Sequence, residues 1–150
     1  MQPLELECSL RPLTLNRPKK TQGTIRILIA DDHPIVRYTL KELLALESDF
    51  EIVGEACEGR EVLDKVRQID PDILLLDLRM PNLDGFAILE ALQRSNTRTR
   101  VILLTASGDK DVLMPIVKQL GGCGVLLKSG DPDLIVESIR KVNAGQALLE

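Results

Sequence analysis

Two continuous apolar runs, Ile73-Leu74-Leu75-Leu76 and Val101-Ile102-Leu103-Leu104, constrain this 150-residue chain more than any other feature. Runs of strand length with no polar alternation belong to strands covered on both faces, as in a parallel sheet flanked by helices. Further strand candidates at 25–30, 52–56 and 124–127 join the central pair at 73–77 and 101–105. Successive strand starts lie 27, 21, 28 and 23 residues apart, room for a crossover helix each time and too little for an inserted domain. Between strands, Val36, Leu40, Leu43 and Leu44 fall at i, i+4, i+7 and i+8, and Ile135, Ile139 and Val142 repeat at four and three, each marking one buried helix face. The chain is therefore expected to form five βα units: an α/β domain of three layers, α/β/α, around one parallel sheet.

Boundary signals agree with this reading. Asp131-Pro132 is an N-cap followed by proline at the first helical position, and Gly121 stands where a helix C-terminal glycine belongs. Pro115 lies inside the stretch 110–120, where it removes a backbone donor and crowds the preceding turn, so that helix is expected to be kinked, late-starting or loose. Residues 1–24 hold Pro3, Pro12 and Pro18, show no sustained period and carry +2 against −6 for the remainder; they read as a flexible extension, with Arg17, Lys19 and Lys20 as solvated linker. The domain proper is expected over 25–145, and 146–150 as the start of a C-terminal linker.

Composition removes several function classes. A net charge of −4 lacks the positive field that sequence-independent DNA binding draws on, and Tyr38, Phe50 and Phe86 are too few to build base-stacking platforms. Cys8, Cys57 and Cys123 form no Cys-x-x-Cys pair, which argues against zinc or a disulfide framework; Cys57 and Cys123 read as small core residues. One histidine, His33, and no Gly-x-Ser-x-Gly elbow argue against a hydrolase triad, and His33 reads as locally packed. Gly121-Gly122-x-Gly124 precedes a strand instead of following one, so it reads as a turn and not a dinucleotide loop. No basic leader or apolar run of spanning length is present, so a cytoplasmic location without membrane contact is expected.

In an open parallel sheet the functional crevice lies beyond the carboxyl ends of the strands. Here the first strand ends in Asp31-Asp32, the third in Asp77, the fourth in Thr105 and the fifth in Lys128, whereas the second ends near Glu55-Ala56, outside the set. That distribution fits a strand order of 2-1-3-4-5. Three carboxylates in one crevice persist only if a cation or protons compensate them, and an all-oxygen set suits Mg²⁺ shared with a phosphoryl group. Mg²⁺ and Lys128 would neutralise the phosphoryl oxygens, Thr105 would donate to one of them, and a carboxylate can accept the group as an aspartyl-phosphate.

The ordered set Asp31-Asp32, Asp77, Thr105 and Lys128 resembles the receiver domain of bacterial two-component response regulators over about residues 25–145. Supporting strings are Ile27-Leu28-Ile29-Ala30-Asp31-Asp32-His33-Pro34, Leu76-Asp77-Leu78-Arg79-Met80-Pro81 with Asp84-Gly85 beyond it, and Leu126-Leu127-Lys128-Ser129. The Asp-Asp-His-Pro start and the stretch Ile139–Gly145 are most similar to the NarL-type (LuxR-like) subfamily. The resemblance implies a flavodoxin-like fold and a signalling domain whose only catalysis is self-directed. It implies Asp77 as phosphoacceptor, Asp32, Asp77 and the Arg79 backbone carbonyl as Mg²⁺ ligands with Asp31 acting through water, Lys128 as phosphate clamp and Thr105 as switch. Arg79 and Ser107 would tune the lifetime of the phosphate. A sensor histidine kinase would be the donor, a homodimer one outcome of signalling, and DNA a partner only through a helix-turn-helix output domain outside this chain.

One departure bears on the switch. Where the family carries Tyr or Phe three residues before the lysine, this chain has Val125. With Pro115 nearby, the expected response shifts to the segment 106–120. Two other classes remain beside the receiver reading: a pseudo-receiver acting only as an interaction module, and a haloacid-dehalogenase-like phosphatase, which would want Asp-x-Asp after the first strand where this chain has Asp-Asp-His-Pro.

Overall fold

The structure is a computed structural model that describes residues 23–106, 110–146 and 148. Most of the N-terminal extension, Ser107 and most of the C-terminal linker therefore lie outside the described residues. Elements alternate strictly: β1 (Ile25–Ala30), α1 (Pro34–Ala45), β2 (Phe50–Ala56), α2 (Gly59–Ile69), β3 (Ile73–Asp77), α3 (Gly85–Arg94), β4 (Arg100–Thr105), α4 (Lys110–Gln119), β5 (Gly124–Leu127) and α5 (Pro132–Asn143). The five strands are parallel and ordered β2-β1-β3-β4-β5, the flavodoxin-like arrangement that the strand ends predict.

The period-two alternation of strand side chains divides the core into two layers. Ile27, Ile29, Ile73, Leu75, Ile102 and Leu104 point to one face, where Leu40 and Leu44 of α1 and Ile135, Ile139 and Val142 of α5 cover them. Leu28, Leu74, Leu76, Val101 and Leu103 point to the other, under Val62 and Val66 of α2, Ile88 and Leu92 of α3 and Val117 of α4. β3, the middle strand, is buried at every residue, as its unbroken apolar run requires.

Two strands begin earlier than the apolar pattern shows. β2 starts at Phe50, a buried core residue that pairs with Ile25 and is set off from the apolar run by the exposed Glu51, and β4 at the exposed Arg100, which pairs with Ile73. The β1/β2 register shifts between Ile27 and Leu28, leaving Val53 as the extra residue of a bulge. Gly121 has a φ of +90°, the left-handed conformation that only glycine adopts without steric cost, and it ends α4 as expected. Asp131 caps α5 by accepting from the Asp133 N–H at 2.9 Å, with Pro132 at the first position.

α4 is continuous through Pro115 but lightly anchored: Val117 is its one buried residue, whereas α5 buries Ile135, Val136, Ser138, Ile139 and Val142. Cys57 corrects the sequence reading. It is exposed just past β2, its N–H donating to Glu61 Oε1 at 2.9 Å, because the strand has run out of the core at Ala56; Cys123 is half-buried against the α1/α5 layer.

Candidate functional site

The carboxyl ends of β1, β3, β4 and β5 lie side by side, and backbone hydrogen bonds carry the ladder one residue past β1, β3 and β5. Asp31 N–H donates to the Ala56 carbonyl at 3.0 Å, Leu78 N–H to Leu104 at 3.0 Å and Lys128 N–H to Thr105 at 2.8 Å. These bonds fix the backbone on which the functional side chains stand. Asp31 is fully buried, and Asp77 and Thr105 are each only 3% exposed. Lys128 reaches over them with Nζ 2.8 Å from Asp31 Oδ2 and 3.1 Å from Asp77 Oδ1.

The loop after β3 is folded back tightly. Arg79 N–H donates to Asp77 Oδ1 at 3.2 Å while its side chain is exposed, and Gly85 N–H donates to Leu78 O at 2.8 Å. A β-carbon at position 85 would sit 2.9 Å from Leu78 Cα, and one at Gly59 would sit 2.3 Å from Leu83 Cβ. Both glycines are therefore dictated by the approach of this loop to its neighbours. Arg37 supports the other side by donating to the Asp31 carbonyl at 2.6 Å.

The two deeply buried carboxylates are electrostatically unequal. Burial raises the proton affinity of Asp77, contact with the Lys128 ammonium opposes this, and the negative Asp31 beside it leaves Asp77 above the ordinary carboxylate value. Asp31 suffers the same burial, yet the contacts with Lys128 and with the His33 N–H and ring outweigh it, so Asp31 lies below that value. Burial would lower Lys128, but the two carboxylates overcome it and keep the ammonium charged.

Whether a divalent cation fits is answered by the oxygens. Asp77 Oδ2 is buried and accepts no hydrogen bond among the described residues; Asp31 Oδ2 and Asp32 Oδ1 also lack a donor in hydrogen-bond geometry, meeting only the close approach of Lys128 Nζ and His33 Nδ1. A buried carboxylate oxygen without a partner is costly, and a hard cation is the group that would satisfy several at once. Ligand atoms of Asp31, Asp32, His33 and Asp77 all lie within 4.8 Å of one another, so one ion would be within reach of the whole set.

All five residues singled out at the strand ends thus stand at one end of the sheet, four of them in direct contact or within ligand distance and Thr105 at the adjoining strand end. Val125 is 1% exposed and packs into the layer shared with Val117 and Leu103, away from the carboxylates. His33 is the residue that sequence reasoning placed differently: its ring is exposed, not packed, and Nδ1 lies 2.9 Å from Asp31 Oδ1 and 3.0 Å from Asp32 Oδ1. Its position two residues after Asp31 was the available signal.

A flavodoxin-like sheet with an acidic crevice at its carboxyl edge, bridged by a lysine from the fifth strand, defines a receiver-type signalling domain. The chain belongs to the response regulator receiver domain family, whose sequence model matches residues 27–140. It is 32% identical over 128 residues to the nitrate/nitrite response regulator NarL of Escherichia coli, covering 85% of this chain and 59% of that protein. A nitrate/nitrite response regulator homolog of Haemophilus influenzae is 33% identical, with coverage of 85% and 61%. The chain therefore spans about three fifths of the length of these relatives. Among solved structures, the signal receiver domain of NarL from Mycobacterium tuberculosis superposes with a TM-score of 0.77 at 32% identity, covering 82% of this chain and 98% of that one. The isolated receiver domain of RcsB from Salmonella enterica, solved with the phosphomimetic BeF3-, gives 0.75 at 26% identity, covering 83% and 92%. No helix among the described residues is long and apolar enough to cross a membrane.

Proposed function

We propose that this chain is a phosphorylatable receiver that takes a phosphoryl group onto Asp77 from a sensor histidine kinase and presents an altered surface to an output partner. The observation that carries this reading is the placement of Asp77, buried, with Oδ1 held by Lys128 and the Arg79 N–H and Oδ2 left without a partner. In the transfer, a carboxylate oxygen of Asp77 forms a bond to phosphorus as the phosphorus–nitrogen bond of a phosphohistidine breaks, and the imidazole leaves with its electron pair and takes a proton. Lys128 holds the phosphoryl oxygens from one side, and the Thr105 hydroxyl donates to one of them once the group is in place. Magnesium, when bound, supplies the charge neutralisation that lets an anionic phosphoryl donor approach three carboxylates; Asp32, Asp77 and the Arg79 carbonyl would hold it, with Asp31 contributing through water, as the family resemblance implies. By the family resemblance, Arg79 and Ser107, the latter outside the described residues, would tune how long the phosphate lasts. Output follows the relatives: transcription control by a helix-turn-helix domain outside this chain, in the cytoplasm, with homodimerisation as one consequence of phosphorylation.

The test is intact-mass analysis after incubation with Mg²⁺ and acetyl phosphate, beside an Asp77→Asn control. One base-labile phosphate on the native chain and none on the control is expected. No adduct, together with no fluoroberyllate complex, would replace this reading with an interaction module that phosphorylation does not control.

A further inference from the structure

His33 is the one histidine of the chain and caps nothing. It occupies the N-cap position of α1 with extended backbone, where Ser, Asp or Asn would turn a side-chain oxygen onto the first helical N–H groups, yet its side chain makes no capping hydrogen bond. The ring is 61% exposed, so burial does not hold it. What it meets is the acidic pocket: Nδ1 sits 2.9 Å from Asp31 Oδ1 and 3.0 Å from Asp32 Oδ1, and its own N–H donates to Asp31 Oδ1 at 2.9 Å. Beside it, Asp77 Oδ2 is buried and has no partner among the described residues, and Asp77 offers a carboxylate oxygen within 4.8 Å of the ligand atoms of His33, Asp31 and Asp32.

We infer that His33 is itself a ligand of the divalent cation in this crevice, and that its imidazole biases the site away from Mg²⁺ toward first-row transition ions such as Mn²⁺. This rests on the metal-binding part of the function proposed above and goes beyond it, since an all-oxygen site gives no reason to distinguish these ions by donor type. Mg²⁺ is a hard ion that takes oxygen donors and water, whereas imidazole nitrogen is accepted by transition ions with affinity rising along the series from Mn²⁺. The chain supplies the nitrogen within 4.8 Å of every carboxylate donor, so no rearrangement of the backbone is required for it to join them.

A single histidine makes the test unambiguous. The native chain is prepared with ring-¹⁵N histidine and with unlabelled histidine, loaded with Mn²⁺ in the absence of phosphodonor, and examined by pulsed electron paramagnetic resonance. Electron spin-echo modulation that changes between ¹⁴N and ¹⁵N samples is expected; modulation unaffected by the label would overturn the inference, leaving His33 as a hydrogen-bond partner of the acid pair. Calorimetric titration of the native chain and His33→Ala with Mn²⁺ and Mg²⁺ is the second arm. Loss of the ligand should shrink the Mn²⁺-over-Mg²⁺ preference by roughly tenfold, the low end of what perturbing a metal site costs, and an unchanged preference would sink the inference. If the native chain binds both ions with no nitrogen modulation, the metal-binding reading stands and only the role of His33 falls; if it binds neither, both fall.

Discussion

At the scale of single residues, the crevice places a functional group where it costs stability. Asp77 is buried beside the negative Asp31, and its proton affinity in the fold exceeds the ordinary carboxylate value. The sign follows from linkage: the folded chain binds this proton more tightly than the unfolded one, so stability declines as pH rises from the unfolded carboxylate value, about 4, through the raised folded value. Asp77→Asn removes that penalty at neutral pH. In metal-free buffer its thermal midpoint should exceed that of the native chain by roughly 4 °C, or about 1 kcal/mol, and the gap should close on acidification below about pH 4; an equal or lower midpoint at neutral pH would contradict the electrostatic account. Asp31, Asp32, Asp77, Thr105 and Lys128 were legible in the sequence because a parallel sheet fixes which residues follow each strand. His33 and Cys57 were not. Strand patterning says where a chain leaves the core but not how a side chain one to three residues later turns, and both of these stand just past a strand end.

At the scale of elements, α4 and α5 differ in how they are held. α5 is capped at Asp131, buries five residues and is tied at its far end by Arg140, whose guanidinium reaches Asp49 at 2.8 Å and Glu47 at 2.6 Å and lies 5.1 Å from the Phe50 ring centroid. These groups are more than a third exposed or close to it, so after solvent screening Arg140→Ala should cost about 1 kcal/mol or less in urea unfolding. Arg140 holds Asp49 below the ordinary carboxylate value, so the loss should be full above about pH 4 and fade below it. α4 has one buried residue and a proline in its sixth position. Pro115→Ala restores a backbone donor and relieves crowding of the preceding turn, and should raise stability by about 1–3 kcal/mol with slower amide exchange across 110–119. The spacing between the fourth and fifth strands left room for α4 over 110–120, and the glycine at 121 marked where it ends. Its continuity through Pro115 could not be read from local propensity; in the structure Val117, two residues beyond the proline, packs with Val101 and Leu103 of β4 and Val125 of β5.

At the scale of the whole molecule, the site is joined mechanically to one side of the sheet. Thr105 leads from β4 toward α4, Lys128 leaves β5, and Val125 and Val117 lock β5 to α4 from below. In the function proposed above, a phosphoryl group on Asp77 that draws in Thr105 and Lys128 would pull on both ends of the α4–β5 unit, whereas none of the carboxylates or the ammonium gathered there comes from β2 or α2. Under the function proposed above, coupling would pass through a packed element with weak anchorage, because local stability sets which element responds. In receivers that carry Tyr or Phe at the position of Val125 an aromatic ring can report the change; here the residue is small and 1% exposed, so the backbone of α4 is the part left free to answer. Amide exchange with Mg²⁺ and fluoroberyllate should then change protection over 110–128 and leave α1, α2 and β2 as they were. Unchanged exchange across 110–128 despite saturation at Asp77, or a change of equal size at α2, would show that the signal leaves the site by another route.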